Sequence, residues 1–243
     1  MRRFRLKALL FTCVSFVIPL APAADSLTMR EQFIKTEKLV WKSKSSEFKE
    51  AYRKLDGYAL QPYIEQRRLL NNIRLSSTKD IRKFLSEFAG TPLDTPLRHR
   101  WLNYLAKRKK SSLFMEFYQP TSDAKLTCQY YRYQLDQGAE PEDILPRVTR
   151  LWLVGKSQPK VCDPLFDKWQ KAGFRTPEIV WRRLEKAADG GKHTLIPYLT
   201  KLLPKQEQYL GRLWHKVRRD PAYIAKMKRF PQKNAKELQI FTY

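Results

Sequence analysis

Glycoside cleavage normally uses two carboxylates held in a cleft, and the sequence offers Asp163 with Asp167, Glu178 with Glu185, and Glu140 with Glu142 and Asp143 at short spacing. Each has a simpler role. Asp163 and Glu178 fall in first turns of predicted helices, where unpaired amide groups favour negative charge. Asp167 and Glu185 precede Lys168 and Lys186 on faces expected to be solvated. His99, His193 and His215 stand apart, without a second His, Cys or acidic residue at metal-ligand spacing. Val154-Gly155-Lys156-Ser157 ends like a phosphate-binding loop, but that loop needs a glycine where the chain has Arg150. No Gly-x-Ser-x-Gly elbow presents a serine nucleophile. The expectation is a chain with no catalytic residue, no metal and no cofactor.

The cysteines point to a compartment. Arg2, Arg3, Arg5 and Lys7 precede an apolar run over 8–20, followed by Ala21-Pro22-Ala23, the pattern of a signal peptide cleaved after Ala23. The run is shorter than a membrane span, and Phe11-Thr12 before Cys13 do not suit a lipoprotein. Residues 1–23 are therefore read as leader and 24–243 as one mature helical domain without a stable membrane span. The mature chain keeps Cys128 and Cys162, an even pair in an oxidising compartment, which predicts a disulfide over two buried free thiols. Closing a loop of roughly 35 residues contributes roughly 3.5 to 4 kcal/mol in the chain-entropy model.

Those sites need elements to position them, and helical spacing dominates. Ile81, Phe84, Leu85 and Phe88 fall at i, i+3, i+4, i+7; Leu97, Trp101, Tyr104 and Leu105, and Val180, Trp181, Leu184 and Ala188, make similar stripes. Starts are marked by Thr95-Pro96, Glu140-Pro141, Asp163-Pro164, Thr176-Pro177 and Asp220-Pro221, because proline sacrifices no hydrogen bond in a first turn. Gly90, Gly138, Gly173 and Gly190-Gly191 mark the stops. The segment 126–135, rich in tyrosine, is read as helix, since an isolated strand would leave its backbone unpaired. The predicted fold is all-α, a right-handed superhelix or solenoid of short antiparallel helical hairpins.

Lys and Arg outnumber Asp and Glu by 48 to 24, and removing the four leader cations from the net +24 leaves +20. Such a field attracts polyanions, and export favours cell-wall polymers over nucleic acid, for which no specific site is expected. The candidate contacts are Arg67 and Arg68, Lys107-Arg108-Lys109-Lys110, and Arg182 and Arg183. Lys107–Lys110 also suits a helix C-terminus, where cations are favoured. The tryptophans lie on apolar stripes and are assigned to the core.

Four strings add information of another kind: Leu60-Gln61-Pro62-Tyr63-Ile64-Glu65, Leu97-Arg98-His99-Arg100-Trp101-Leu102, Leu151-Trp152-Leu153-Val154-Gly155-Lys156-Ser157-Gln158-Pro159, and Cys162-Asp163-Pro164-Leu165-Phe166-Asp167-Lys168-Trp169. They resemble the N-terminal superhelical region of soluble lytic murein transglycosylases, most strongly over 57–188. The resemblance implies a periplasmic protein of Gram-negative type, with Cys128 and Cys162 matching the family's disulfide. The family cleaves peptidoglycan between N-acetylmuramic acid and N-acetylglucosamine without water, leaving 1,6-anhydromuramoyl ends, through one glutamic acid of a lysozyme-like domain.

That domain's Glu-Ser and Gly-Leu-Met-Gln-like strings do not occur here, so the expectation is the superhelical part alone, inactive by itself. The expected role is binding of peptidoglycan glycan strands during wall turnover, alongside a separate catalytic domain or cell-wall enzyme. The alternatives are a periplasmic protein-interaction scaffold and residual glycan cleavage through Glu178 or Glu185.

Overall fold

The computed structural model describes residues 23–227 and 235–242, with side chains from Thr28 onward, and contains no strand among the described residues. Residues 1–22 of the leader lie outside them. The chain divides into two units, Met1–Asn72 and Ile73–Tyr243. In the first, α1 (Ala23–Leu39), α2 (Ser46–Arg53) and α3 (Gln61–Asn71) enclose Val40, Phe48, Leu55 and Ile64. Ser45 caps α2 by accepting from the Phe48 amide at 3.1 Å, which replaces a backbone partner the first turn lacks.

The second unit stacks ten helices among its described residues: α4 (Thr78–Glu87), α5 (Asp94–Lys107), α6 (Ser111–Phe117), α7 (Ala124–Asp136), α8 (Pro141–Trp152), α9 (Asp163–Lys171), α10 (Pro177–Ala188), α11 (Ile196–Leu202), α12 (Gln208–Arg219) and α13 (Ala235–Phe241). Most sequence neighbours pack together, as hairpins require. Their stripes fill the core: Ile81, Phe84 and Leu85, then Leu97, Trp101 and Leu105, then Val180, Trp181 and Leu184 are all buried. Trp152 meets Trp169 with ring centroids 5.2 Å apart, and Trp181 meets Trp214 at 5.1 Å. Cys128 on α7 is bonded to Cys162, in the turn that leads into α9. The tyrosine-rich segment is helix, α7.

Proline marks most starts as expected. Thr176 caps α10 by accepting from the Ile179 amide at 3.3 Å, and Pro177 takes the first position. Two starts differ. The α5 helix begins at Asp94, before Thr95-Pro96, because the Asp94 carboxylate accepts from the Gly90 amide and from Arg98 and so anchors the turn earlier. Asp220-Pro221 opens a 3-10 stretch, Pro221–Lys226, held by i to i+3 bonds such as Tyr223 N–H to the Asp220 carbonyl. The stop glycines 90, 138, 173 and 190 all have positive φ. Gly191 serves another purpose, shared with Gly155. A Cβ at either would fall 2.1 to 2.3 Å from the Lys186 carbonyl oxygen, so both let a loop lie directly on the end of α10.

His193 and His215, well separated in sequence, come together with ring centroids 6.1 Å apart. The stacking of α11 on α12 brings them close, which linear spacing does not reveal. Partial burial, then Arg219, then His193 hold the His215 pKa below its usual 6.5. The unfolded chain therefore binds protons more readily than the folded one between those two values. Stability from this group is complete above about pH 6.5 and is lost as pH falls through the folded value. The melting temperature should fall between about pH 7 and pH 5, and less steeply in His215→Gln, as read by differential scanning fluorimetry across that range.

Asp94 and Arg98 form a buried ion pair, with Nε to Oδ1 at 2.6 Å and Nη2 to Oδ2 at 2.8 Å, while Nη1 donates to the Phe117 carbonyl at 2.9 Å. Removing the carboxylate strands a buried cation. Asp94→Ala should cost about 3 kcal/mol in urea unfolding followed by circular dichroism, and Asp94→Ala with Arg98→Met should cost less.

Candidate functional site

Helical period places Arg100, Asn103, Tyr104 and Lys107 on one face of α5, at i, i+3, i+4 and i+7. The neighbouring α7 contributes Lys125 and Gln129, and these side chains line a groove of about 580 Å3. Lys125 Nζ donates to Asn103 Oδ1 at 2.6 Å, and Asn103 Nδ2 donates to the His99 carbonyl at 2.8 Å, so the carboxamide is held in one orientation. Tyr104 stacks on the buried Trp101 ring, at 5.5 Å and 11° between planes, which fixes its own ring at the groove wall. No carboxylate lines the groove, and none of Arg100, Lys107 and Lys125 forms an ion pair among the described residues. Three adjacent cations without counter-ions can hold an anion, and the carboxamides can pair with amide or hydroxyl groups beside it.

Lys107 is the one contact candidate from the sequence that lines this groove. Arg108, Lys109 and Lys110 are exposed just past it. Arg108 lies over the Tyr104 ring at 5.5 Å. Lys109 has φ of 54°, a conformation suited to glycine, and lets the Lys110 amide return to the Leu105 carbonyl at 3.0 Å. Arg100, Lys125 and the carboxamides were missed as contacts. The i, i+3, i+7 spacing of Arg100, Asn103 and Lys107 was legible, but only the folded chain brings α7 against it.

The other basic candidates behave differently. Arg67 is exposed but paired to Glu37 at 2.5 Å, and Arg68 is paired to Glu65 at 2.6 Å, so both charges are offset locally. Arg182 is exposed on α10. Arg183 is not the surface cation expected from the sequence: it is 4% exposed, because its guanidinium is drawn inward by the carbonyls of Val154 and Lys156 and by the Trp152 ring, and it meets a groove from within the wall.

Among the carboxylates, Glu178 is exposed in the first turn of α10. Glu185 is a correction too, being half-buried and accepting from Gln239 Nε2, whose carbonyl oxygen takes the Trp181 indole N–H at 3.2 Å. Asp163 and Asp167 are exposed on α9 and line a second groove, of about 650 Å3, with Trp152, Tyr198, Arg175 and Arg183. No group of three His, Cys, Asp or Glu side chains that could hold a metal occurs among the described residues, nor does a helix long and apolar enough to cross a membrane.

No family model matches the sequence. The soluble lytic murein transglycosylase of Escherichia coli K12 is 26% identical over 190 residues, which cover 77% of this chain and 29% of that protein. Its counterpart from Salmonella typhimurium LT2 is 26% identical over 200 residues, 82% of this chain and 31% of that one. Among solved structures, an inactive mutant of the lytic transglycosylase Slt from Pseudomonas aeruginosa superposes with a TM-score of 0.71 and 32% identity, over 86% of this chain and 34% of that one. The 70 kDa soluble lytic transglycosylase in complex with bulgecin A gives 0.69 at 22% identity, over 88% of this chain and 35% of that one, and bears on the fold alone. This chain thus spans under a third of the length of the two sequence relatives. The all-α fold expected from the sequence is shared with these structures.

Proposed function

We propose that this chain, which is related to the soluble lytic murein transglycosylases, is a wall-associated periplasmic module that holds peptidoglycan glycan strands. It would act in wall turnover beside a catalytic domain or cell-wall enzyme, without cleaving glycan itself. The observation that carries this reading is the groove between α5 and α7, where Arg100, Lys107 and Lys125 face outward without a carboxylate partner among the described residues. Peptidoglycan offers what such a groove selects. Its stem-peptide carboxylates, and its lactyl carboxylates wherever the peptide has been removed, suit the cations, its N-acetyl groups suit Asn103 and Gln129, and a sugar ring can lie against Tyr104.

Lys109 supports the same reading. A non-glycine residue with positive φ costs roughly 1 kcal/mol, yet the chain keeps a lysine there among four consecutive cations.

Purified sacculi should sediment with the mature protein at low salt and release it as salt rises. The triple variant Arg100→Ala, Lys107→Ala, Lys125→Ala should bind sacculi roughly tenfold more weakly, equivalent to about 1.4 kcal/mol, with an unchanged melting temperature. Sacculus binding that ignores both salt and the triple variant would overturn the reading. Lys109→Gly should raise stability by roughly 1 kcal/mol in urea unfolding while weakening the same sedimentation.

A further inference from the structure

Two arginines are buried among the described residues of the second unit, Arg98 at 8% exposure and Arg183 at 4%, and the chain treats them differently. Arg98 meets both oxygens of the Asp94 carboxylate. Arg183 meets only neutral groups: Nε donates to the Val154 carbonyl at 3.2 Å, Nη2 donates to the Lys156 carbonyl at 3.1 Å, and the cation lies 4.3 Å from the Trp152 ring centroid. Neither a carboxylate partner nor an acceptor for Nη1 is present among the described residues. Burial, opposed by Tyr198, lowers its pKa to about 10, as expected of a cation without a counter-ion.

Arg183 also forms part of the wall of the second groove, which α9, α10 and the loop after α8 enclose, with Tyr198 of α11 at its side. Tyr198 is 52% exposed, and Arg175 stands in the same wall without an ion pair among the described residues. We infer that this groove is a binding site for a carboxylate, which pairs with Nη1 of Arg183 and with Arg175 and lies beside the Tyr198 hydroxyl.

The groove itself selects among anions. Asp163 and Asp167 line it as well, so a phosphate, whose dianion carries two negative charges, meets more repulsion than a carboxylate with one. The planar guanidinium directs Nη1 at a carboxylate oxygen, and because two aspartates already balance the two arginines of the wall, a monoanion leaves one uncompensated negative charge where a dianion leaves two. Two wall chemistries carry such a group, the lactyl ether of a muramoyl sugar and the C-terminus of a short peptide. The choice of probes rests on the wall-associated reading; the site itself rests on Arg183.

The mature protein, labelled with 15N in its arginine side chains and tryptophan indoles, is titrated with N-acetylmuramic acid, D-alanyl-D-alanine, N-acetylglucosamine and inorganic phosphate. The Arg183 and Trp152 signals should shift and saturate with N-acetylmuramic acid or with the dipeptide, and whichever saturates identifies the source. N-acetylglucosamine, which lacks the carboxylate, should leave them unmoved, and phosphate should bind more weakly.

Arg175→Ala and Tyr198→Phe should each weaken the carboxylate probe, by roughly fivefold and threefold, for loss of one charged and one neutral hydrogen bond at a solvent-screened rim. Arg183→Lys, which keeps charge but cannot meet both carbonyls and still present a donor to the groove, should weaken it further. If that variant fails to fold, the two rim variants still decide. The inference falls if neither carboxylate probe moves Arg183, if N-acetylglucosamine binds as tightly as the carboxylate probe that saturates, or if the rim variants bind like the parent. Sacculus binding through Arg100, Lys107 and Lys125 that persists alongside such a failure would sink this site and leave the wall reading standing.

Discussion

Short helices cannot stand alone, and that constraint organises this protein. A helix under about 15 residues is marginal in water, and every described helix from α2 to α13 is 14 residues or shorter. Each persists because a neighbour covers its apolar stripe, as Trp169 of α9 covers Trp152 of α8 and Trp214 of α12 covers Trp181 of α10. The large aromatic side chains follow from the same need. A helix of two or three turns presents few core positions, so each must bury much area.

Many short helices also make many helix ends, and each end leaves backbone carbonyls without partners inside the helix. The second unit answers with arginine. Arg98 donates to the Phe117 carbonyl at the end of α6, Arg183 to the Val154 carbonyl just past α8, and Arg218 to the Ala188 carbonyl at the end of α10, at 2.8 Å. A guanidinium suits this position twice over, since its fork can satisfy several acceptors and its charge meets the negative end of the helix dipole. Glycine does the complementary work. Gly155 and Gly191 remove the Cβ atoms that would keep the loop after α8 away from the Lys186 carbonyl.

The fold was therefore legible where local chemistry decides it. Periodicity identified the buried faces of α4, α5 and α10, Pro177 and Thr176 identified a start, and four glycines with positive φ identified stops. Asp94 escaped because its role depends on Arg98 folding back onto it, which outweighs the proline signal two residues later. The site was less legible for the same reason. A run such as Lys107-Arg108-Lys109-Lys110 advertises charge in the linear sequence, whereas Lys125 joins Arg100 and Lys107 only through the packing of α7 on α5. Adjacent arginines were read alike, yet helical rotation sends Arg182 outward and Arg183 into the core.

Charge excess alone does not make a binding surface, because an arginine or lysine can be neutralised in place. Arg67, Arg68 and Arg82 have carboxylate partners, and Arg98 has one in the core. Cations at the C-terminal end of a helix escape this requirement. The dipole of α5 stabilises Lys107 and its neighbours without an acidic side chain, so their charge stays available to a ligand. The helix-end preference of Lys107 and the binding role proposed for it are thus one arrangement. Its logic extends to Arg183, which the carbonyls after α8 hold in place while its charge remains without a counter-ion among the described residues. A fold that closes its helix ends with cations keeps fixed positive charge wherever a groove passes one of those ends, as the groove beside Lys107 and the groove beside Arg183 do.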